Sequence, residues 1–303
     1  MSDSRETNQG AAPRRIVGTK RFREAMPKPI STRIFTVANQ KGGVGKTTSA
    51  VNIGAALAMG GLRTLIIDLD PQGNASTAFG ISRDEVNGMY EVITKDVPIN
   101  DATLKIPGYP HLEVIPATQS LANAEVELVP MVARELRLKK ALTNYLNECA
   151  NDGERFDYVI IDCPPSLGLL TINALVASDE LLIPIQCEYY SLEGLTLLLH
   201  TVSLIQEHLN PNIKLSTIVL TMFDGRTRLA NDVADEVRKH YPDQLIDIPI
   251  PRAVRVSEAP SYGQTVMTYD PASNGAEAYA LVAREIARRG APSISSISEV
   301  GVG

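Results

Sequence analysis

Residues 34–48 read IFTVANQKGGVGKTT: an apolar run, a glycine-rich turn and the start of a helical pattern. The run Ile34 to Ala38 has the length and residue types of a buried strand. From Lys46 to Met59 the spacing places Ala50, Ile53, Gly54 and Leu57 on one helical face. A strand, a glycine loop and a helix in that order build an anion site. The glycines let successive backbone N–H groups turn inward, and the helix aims the positive end of its dipole at the same point. Within Lys41, Gly42, Gly43, Val44, Gly45, Lys46, Thr47 and Thr48, Lys46 adds a point charge for terminal phosphates. Thr47 offers a hydroxyl to Mg²⁺. The loop therefore reads as a site for a nucleoside triphosphate with magnesium.

One position departs from the usual GxxxxGK[ST] pattern: the residue five places before Gly45 is Gln40, not glycine. The loop carries an added lysine, Lys41, placed where its side chain can leave its own nucleotide and reach one bound by a second molecule. That is the position of a charge stabiliser supplied in trans.

Further along, Thr64 to Ile67 is a β-branched run ending on Asp68, Leu69, Asp70 and Pro71, and Tyr158 to Ile161 is an apolar run ending on Asp162. Carboxylates at strand ends stand where open α/β sheets bind ligands. Asp162 fits the metal-side acid, and Asp68 and Asp70 fit the orientation of an attacking water. Strands are also expected at 112–115, 180–185, 215–221 and 244–248. Helices are expected at 132–149, 192–208, 229–240 and 276–289. This alternation predicts an α/β fold: one P-loop domain over residues 32–290, with a mostly parallel twisted sheet and helices on both faces.

The 303 residues include no run of about 18 apolar residues and no apolar leader, so the expectation is a cytosolic protein without a membrane partner. Cys149, Cys163 and Cys187 form no CxxC pair and read as reduced thiols. The net charge of −6 hides an asymmetry. Residues 1–33 hold eight Lys and Arg against Asp3, Glu6 and Glu24. With Pro13, Pro27 and Pro29 interrupting it, the stretch 1–31 reads as a disordered basic arm, and 291–303 as a flexible tail.

The stretches 38–48, 68–74, 162–166, 186–194, 221–227 and 251–260 resemble the deviant Walker A ATPases, specifically the ParA/Soj partitioning branch, along about Arg33 to Arg289. The resemblance implies an intermolecular role for Lys41, phosphate contact for Lys46 and magnesium ligation by Thr47. It implies that Asp70 positions the hydrolytic water beside the metal, that Asp68 supports it, and that Asp162 holds magnesium through water. It further implies an ATP-bound homodimer that binds DNA non-specifically, slow hydrolysis stimulated by a ParB-type centromere-binding protein, and a nucleoid location. Arg226, Arg228, Arg252 and Arg255 are the DNA-binding candidates. Pro251 and Arg252 also match the part of the family near the nucleotide base. A membrane-cycling relative would need a basic amphipathic C-terminus, and no Lys or Arg follows Arg289. An iron–sulfur carrier would need placed cysteines. An orphan paralogue that positions another cargo stays open.

Overall fold

The fold, seen in a computed structural model, is described for residues 24–292 except 85, 189 and 190, with the side chains of 191–193 also set aside. Most of the expected basic arm and the expected C-terminal tail lie outside the described residues.

Eight strands form one sheet: β1 (Arg33–Val37), β2 (Thr64–Asp68), β3 (Leu104–Lys105), β4 (Leu112–Ile115), β5 (Tyr158–Asp162), β6 (Glu180–Gln186), β7 (Lys214–Thr221) and β8 (Leu245–Ile246). Their order is β3-β4-β2-β5-β1-β6-β7-β8. All neighbours are parallel except the two-residue edge strand β3, which runs antiparallel to β4. Both edges are short, which limits pairing with other chains. The central strands are buried on both faces and therefore read as continuous apolar runs. Alternate residues serve opposite cores: Ile66 and Ile160 pack on one face, while Leu65, Ile67, Val159 and Ile161 pack on the other.

The first face is covered by α1 (Lys46–Met59) and α12 (Asn274–Gly290). The second carries α6 (Arg137–Asn151), α7 (Leu169–Ala177), α8 (Ser191–His208) and α9 (Arg228–His240). Shorter helices complete both faces: α3 (Met89–Lys95), α4 (Ile99–Ala102) and α5 (Leu121–Leu128) join the second, and α2 (Asn74–Ala78), α10 (Val254–Glu258) and α11 (Val266–Tyr269) the first. The expected α/β architecture is thus present.

Several expected bounds shift. The helix expected from Val132 begins at Arg137, because Ala133 takes φ 51° and ends any helical run there. Val132 prolongs the apolar pattern but is 90% exposed. The strand expected over 244–248 pairs at only two residues. Residues 24–31 lie against the domain. The Met26 side chain is buried and its N–H donates to the Gly60 carbonyl (3.0 Å), while Arg155 donates to the carbonyls of Pro29 and Ile30.

At the end of the sheet opposite the loop, Arg33 makes two 2.6 Å contacts to Glu180 and donates to the Ile286 carbonyl at 2.8 Å, tying β1, β6 and α12 together. Glu180 is only 7% exposed, so removing its partner leaves a buried carboxylate uncompensated. Arg33→Ala is expected to cost about 3 kcal/mol in urea unfolding, and Glu180→Ala added to it should recover part of that loss. An additive double variant would show that the pair is not coupled.

Candidate nucleotide site

Chain order makes the site. β1 lies between β5 and β6; the chain leaves it through α1 for β2 on one side and later reaches β6 on the other. This reversal opens a crevice at the carboxyl ends of the strands. Three strands end there in register: Val37 pairs with Asp162, and Asp68 pairs with Asp162 from the other side.

Beyond β1 the loop bends through Gly43 (φ 74°) and Gly45 (φ 86°), left-handed conformations that a side chain disfavours. Gly45 caps α1, and its carbonyl accepts from the Ser49 N–H at 2.8 Å. The Thr221 hydroxyl, at the end of β7, donates to the Val44 carbonyl at 2.7 Å and fixes the loop from behind. A Cβ built at Gly42 or Gly43 meets nothing within 4 Å, and both glycines are exposed. Gly42, Gly43, Gly45, Lys46, Thr47 and Thr48 line a cavity of about 500 Å³. Asp70, Gln72, Asn74, Pro165 and Met222 continue its wall, which then passes to Val256, Ser257, Pro260 and Gln264.

Lys46 is 6% exposed, and its ammonium donates to the Lys41 carbonyl at 3.2 Å. Burial lowers its pKa, against the pull of Asp162 and Asp70. Asp162 is fully buried, and neither of its carboxylate oxygens has a hydrogen-bond partner. Its pKa is raised, first by burial and then by the charge of Asp68, with the nearby Thr47 hydroxyl acting the other way.

Asp68 is equally buried but satisfied. It accepts from the Ser76 N–H (2.7 Å), the Ser76 hydroxyl (2.6 Å) and the Asp70 N–H (3.3 Å). Burial, only partly offset by Ser76, pushes its pKa up to about 6. Asp68 thus shapes the segment that presents Asp70, whose own carboxylate accepts from the Gln72 N–H at 2.9 Å.

Residues that carried no role in the sequence support this frame. Arg83 donates to the carbonyls of Pro71 (2.6 Å), Gln72 (2.7 Å), Ala117 (2.8 Å) and Thr118 (3.2 Å), pinning the segment after Asp70 to the chain beyond β4. Asn52 on α1 donates to the Thr48 carbonyl and accepts from the Val266 N–H. Met222, at φ 48°, holds a conformation rare for its type on the cavity wall. Thr221 and Met222 lay within the stretches that carried the resemblance; nothing in the sequence around Arg83 marked it.

Pro251 and Arg252 are outside the lining. Pro251 bridges to Phe223, and Arg252 is exposed. Arg226, Arg228 and Arg255 lie on the surface, and each faces a carboxylate of its own chain: Asp224, Asp232, and Glu258 with Asp270.

A family profile described as an AAA domain matches residues 32–215. The chain is 51% identical over 259 residues to the sporulation initiation inhibitor protein Soj of Bacillus subtilis, covering 85% of this chain and 99% of that protein. It is 49% identical over 261 residues to the chromosome partitioning protein ParA of Myxococcus xanthus, covering 86% and 89%. The chain belongs to the ParA/Soj family of partitioning ATPases. Among solved structures, a cobyrinic acid a,c-diamide synthase from Mycobacterium smegmatis, with bound ATP analogue and magnesium, is similar at a TM-score of 0.72 and 37% identity. That match covers 85% of this chain and 95% of the other. The glycine loop and strand-end acids of this ParA/Soj chain fall within the matched profile.

The unpartnered Asp162 is costly when no cation accompanies it. Asp162→Asn is expected to raise the melting temperature of the nucleotide-free protein by about 2–4 °C at pH 7, the shift that ~1 kcal/mol produces in a large domain. The parent should also lose stability as pH rises from about 4 to 6, because the folded chain there holds on Asp68 a proton that the unfolded chain has released. A lower melting temperature for Asp162→Asn would show that its carboxylate is compensated.

Proposed function

We propose that the protein is a magnesium-dependent ATPase that partitions DNA. It dimerises with ATP bound, binds DNA without sequence preference in that state, and hydrolyses ATP to ADP and phosphate when a ParB-type centromere-binding protein stimulates it. Segregation of a chromosome or plasmid follows from the cycle, and the protein works in the cytoplasm on the nucleoid. The observation that carries the ATP and magnesium assignment is the pair of buried, unpartnered Asp162 oxygens beside an open glycine cradle. The partitioning role rests on the family relationship.

The residues present suit the group. Among the described residues no cluster of three or more His, Cys, Asp or Glu could hold a metal alone. A cation here must take oxygens from nucleotide and water, which is the habit of magnesium. Thr47 and Asp162, with Asp70 at the same edge, supply the protein's share. Bound magnesium with ATP neutralises phosphate charge and favours in-line transfer to water. The N–H groups of residues 42–48 hold phosphate oxygens, and Lys46 exchanges its backbone acceptor for them. Asp70 orients the attacking water from a segment fixed by Asp68, Ser76 and Arg83. Lys41 acts on the nucleotide of the second protomer.

DNA contact through Arg226, Arg228, Arg252 and Arg255 requires three of the four to leave carboxylate partners. Exposed pairs of this kind are worth only about 0–1 kcal/mol, so phosphates can compete for the guanidinium groups. Among the described residues no helix is long and apolar enough to cross a membrane.

Lys46→Ala is expected to lose ATP binding in calorimetry, and wild-type affinity in that variant would remove the loop from the reading. Asp70→Ala should remain a dimer with ATP and stay on non-specific duplex DNA. That retention should fall steeply as salt rises and should be absent on anionic liposomes. Retention on liposomes, or a salt-insensitive preference for one DNA sequence, would overturn the partitioning reading.

A further inference from the structure

Lys41 is held within its own chain. Its ammonium forms an ion pair with Glu188, in the segment just past β6, and the second Glu188 carboxylate oxygen accepts from the Gln186 amide at 2.5 Å. The backbone on each side of the pair is fixed too. The Lys41 N–H donates to the Asn39 side chain at 3.0 Å, and the Asn39 amide donates to the Pro184 carbonyl at 2.8 Å. The start of the glycine loop is therefore fastened to the end of β6 by Asn39 and by the ion pair together. A third contact links this arrangement to the phosphate site, because the Lys41 carbonyl is the acceptor of the Lys46 ammonium.

We propose that Glu188 is a latch that parks Lys41 in the separate protomer, so that opening the Lys41–Glu188 pair sets the threshold for dimerisation. The inference rests on the reading of Lys41 as a residue delivered to a partner protomer. Lys41 cannot remain on Glu188 and also reach a second molecule's nucleotide. The pair is half exposed, with side chains 35% and 46% accessible, so it resists opening without preventing it. When Lys46 turns to phosphate, the Lys41 carbonyl loses its donor and one restraint on the loop goes. Nucleotide occupancy and release of Lys41 are thereby coupled through one backbone group.

Two measurements on the full chain test the latch. In the nucleotide-free protein, acylation of Lys41 by an N-hydroxysuccinimide ester, read by mass spectrometry, should be about threefold faster in Glu188→Gln, with other lysines unchanged. In an Asp70→Ala background with ATP and magnesium, sedimentation velocity should give a dimer dissociation constant about fourfold lower for Glu188→Gln at low salt. That follows from a factor of about two for each exposed pair opened and two pairs per dimer. The difference should shrink at high salt as screening weakens the parental pair. Unchanged labelling of Lys41, or a dimer no tighter than the parent, overturns the latch. A parent that stays monomeric with ATP defeats instead the dimer reading on which the latch rests.

Discussion

Asp68 and Asp162 occupy paired positions on adjacent parallel strands, both fully buried, and the remainder of the site is arranged around that concentration of negative charge. The charge of Asp68 raises the pKa of Asp162, as burial already does. The fold resolves the conflict unequally. Asp68 is surrounded by donors and becomes part of the scaffold of the following segment, whereas neither Asp162 oxygen makes a hydrogen bond and the Thr47 hydroxyl lies near it. Lys46 is the nearby cation, and it is itself partly desolvated and held by a backbone carbonyl. The nucleotide-free chain therefore stores an electrostatic imbalance at the point where a phosphate–cation complex fits. This is the stability cost that functional sites commonly carry.

The charges outside this edge are handled differently. Arg226, Arg228 and Arg255 are neutralised within two to fifteen residues of themselves by acids on the same surface, and Lys41 by Glu188 across the loop. All of these pairs involve exposed or half-exposed groups, where solvent screening keeps the interaction weak. Charge buried at the sheet edge is fixed in place, and charge at the periphery is held loosely.

Much of the architecture was legible because parallel sheets bury both faces of their strands. The runs at 34–38, 64–67, 112–115 and 158–161 needed no partner to be recognised, and the glycine loop carried its own geometry. α7 is not legible because Leu169–Ala177 is buried on nearly every side, with Thr171 and Asn173 inside as well, so it lacks the periodicity that separates helix from strand. The start of α6 was misplaced for the opposite reason. Val132 and Leu136 extend a helical apolar pattern, yet both are exposed and Ala133 turns the chain away. The short helices α2, α4, α10 and α11, each four or five residues long, offer too few turns for any pattern.

The sequence by itself determined which residues could do phosphate chemistry: Gly45, Lys46 and Thr47 are defined by local conformation and by one dipole, and the acids by their place at the ends of apolar runs. Tertiary structure alone decided what surrounds them. Arg83 reaching four carbonyls, Thr221 bracing Val44 and Glu188 holding Lys41 each join segments between 11 and 177 residues apart. No local spacing encodes such contacts, because they arise from the order in which the strands are laid side by side. The same order placed Asp162 beside Asp68 and left both of its buried oxygens without a hydrogen bond, which no local spacing foretells.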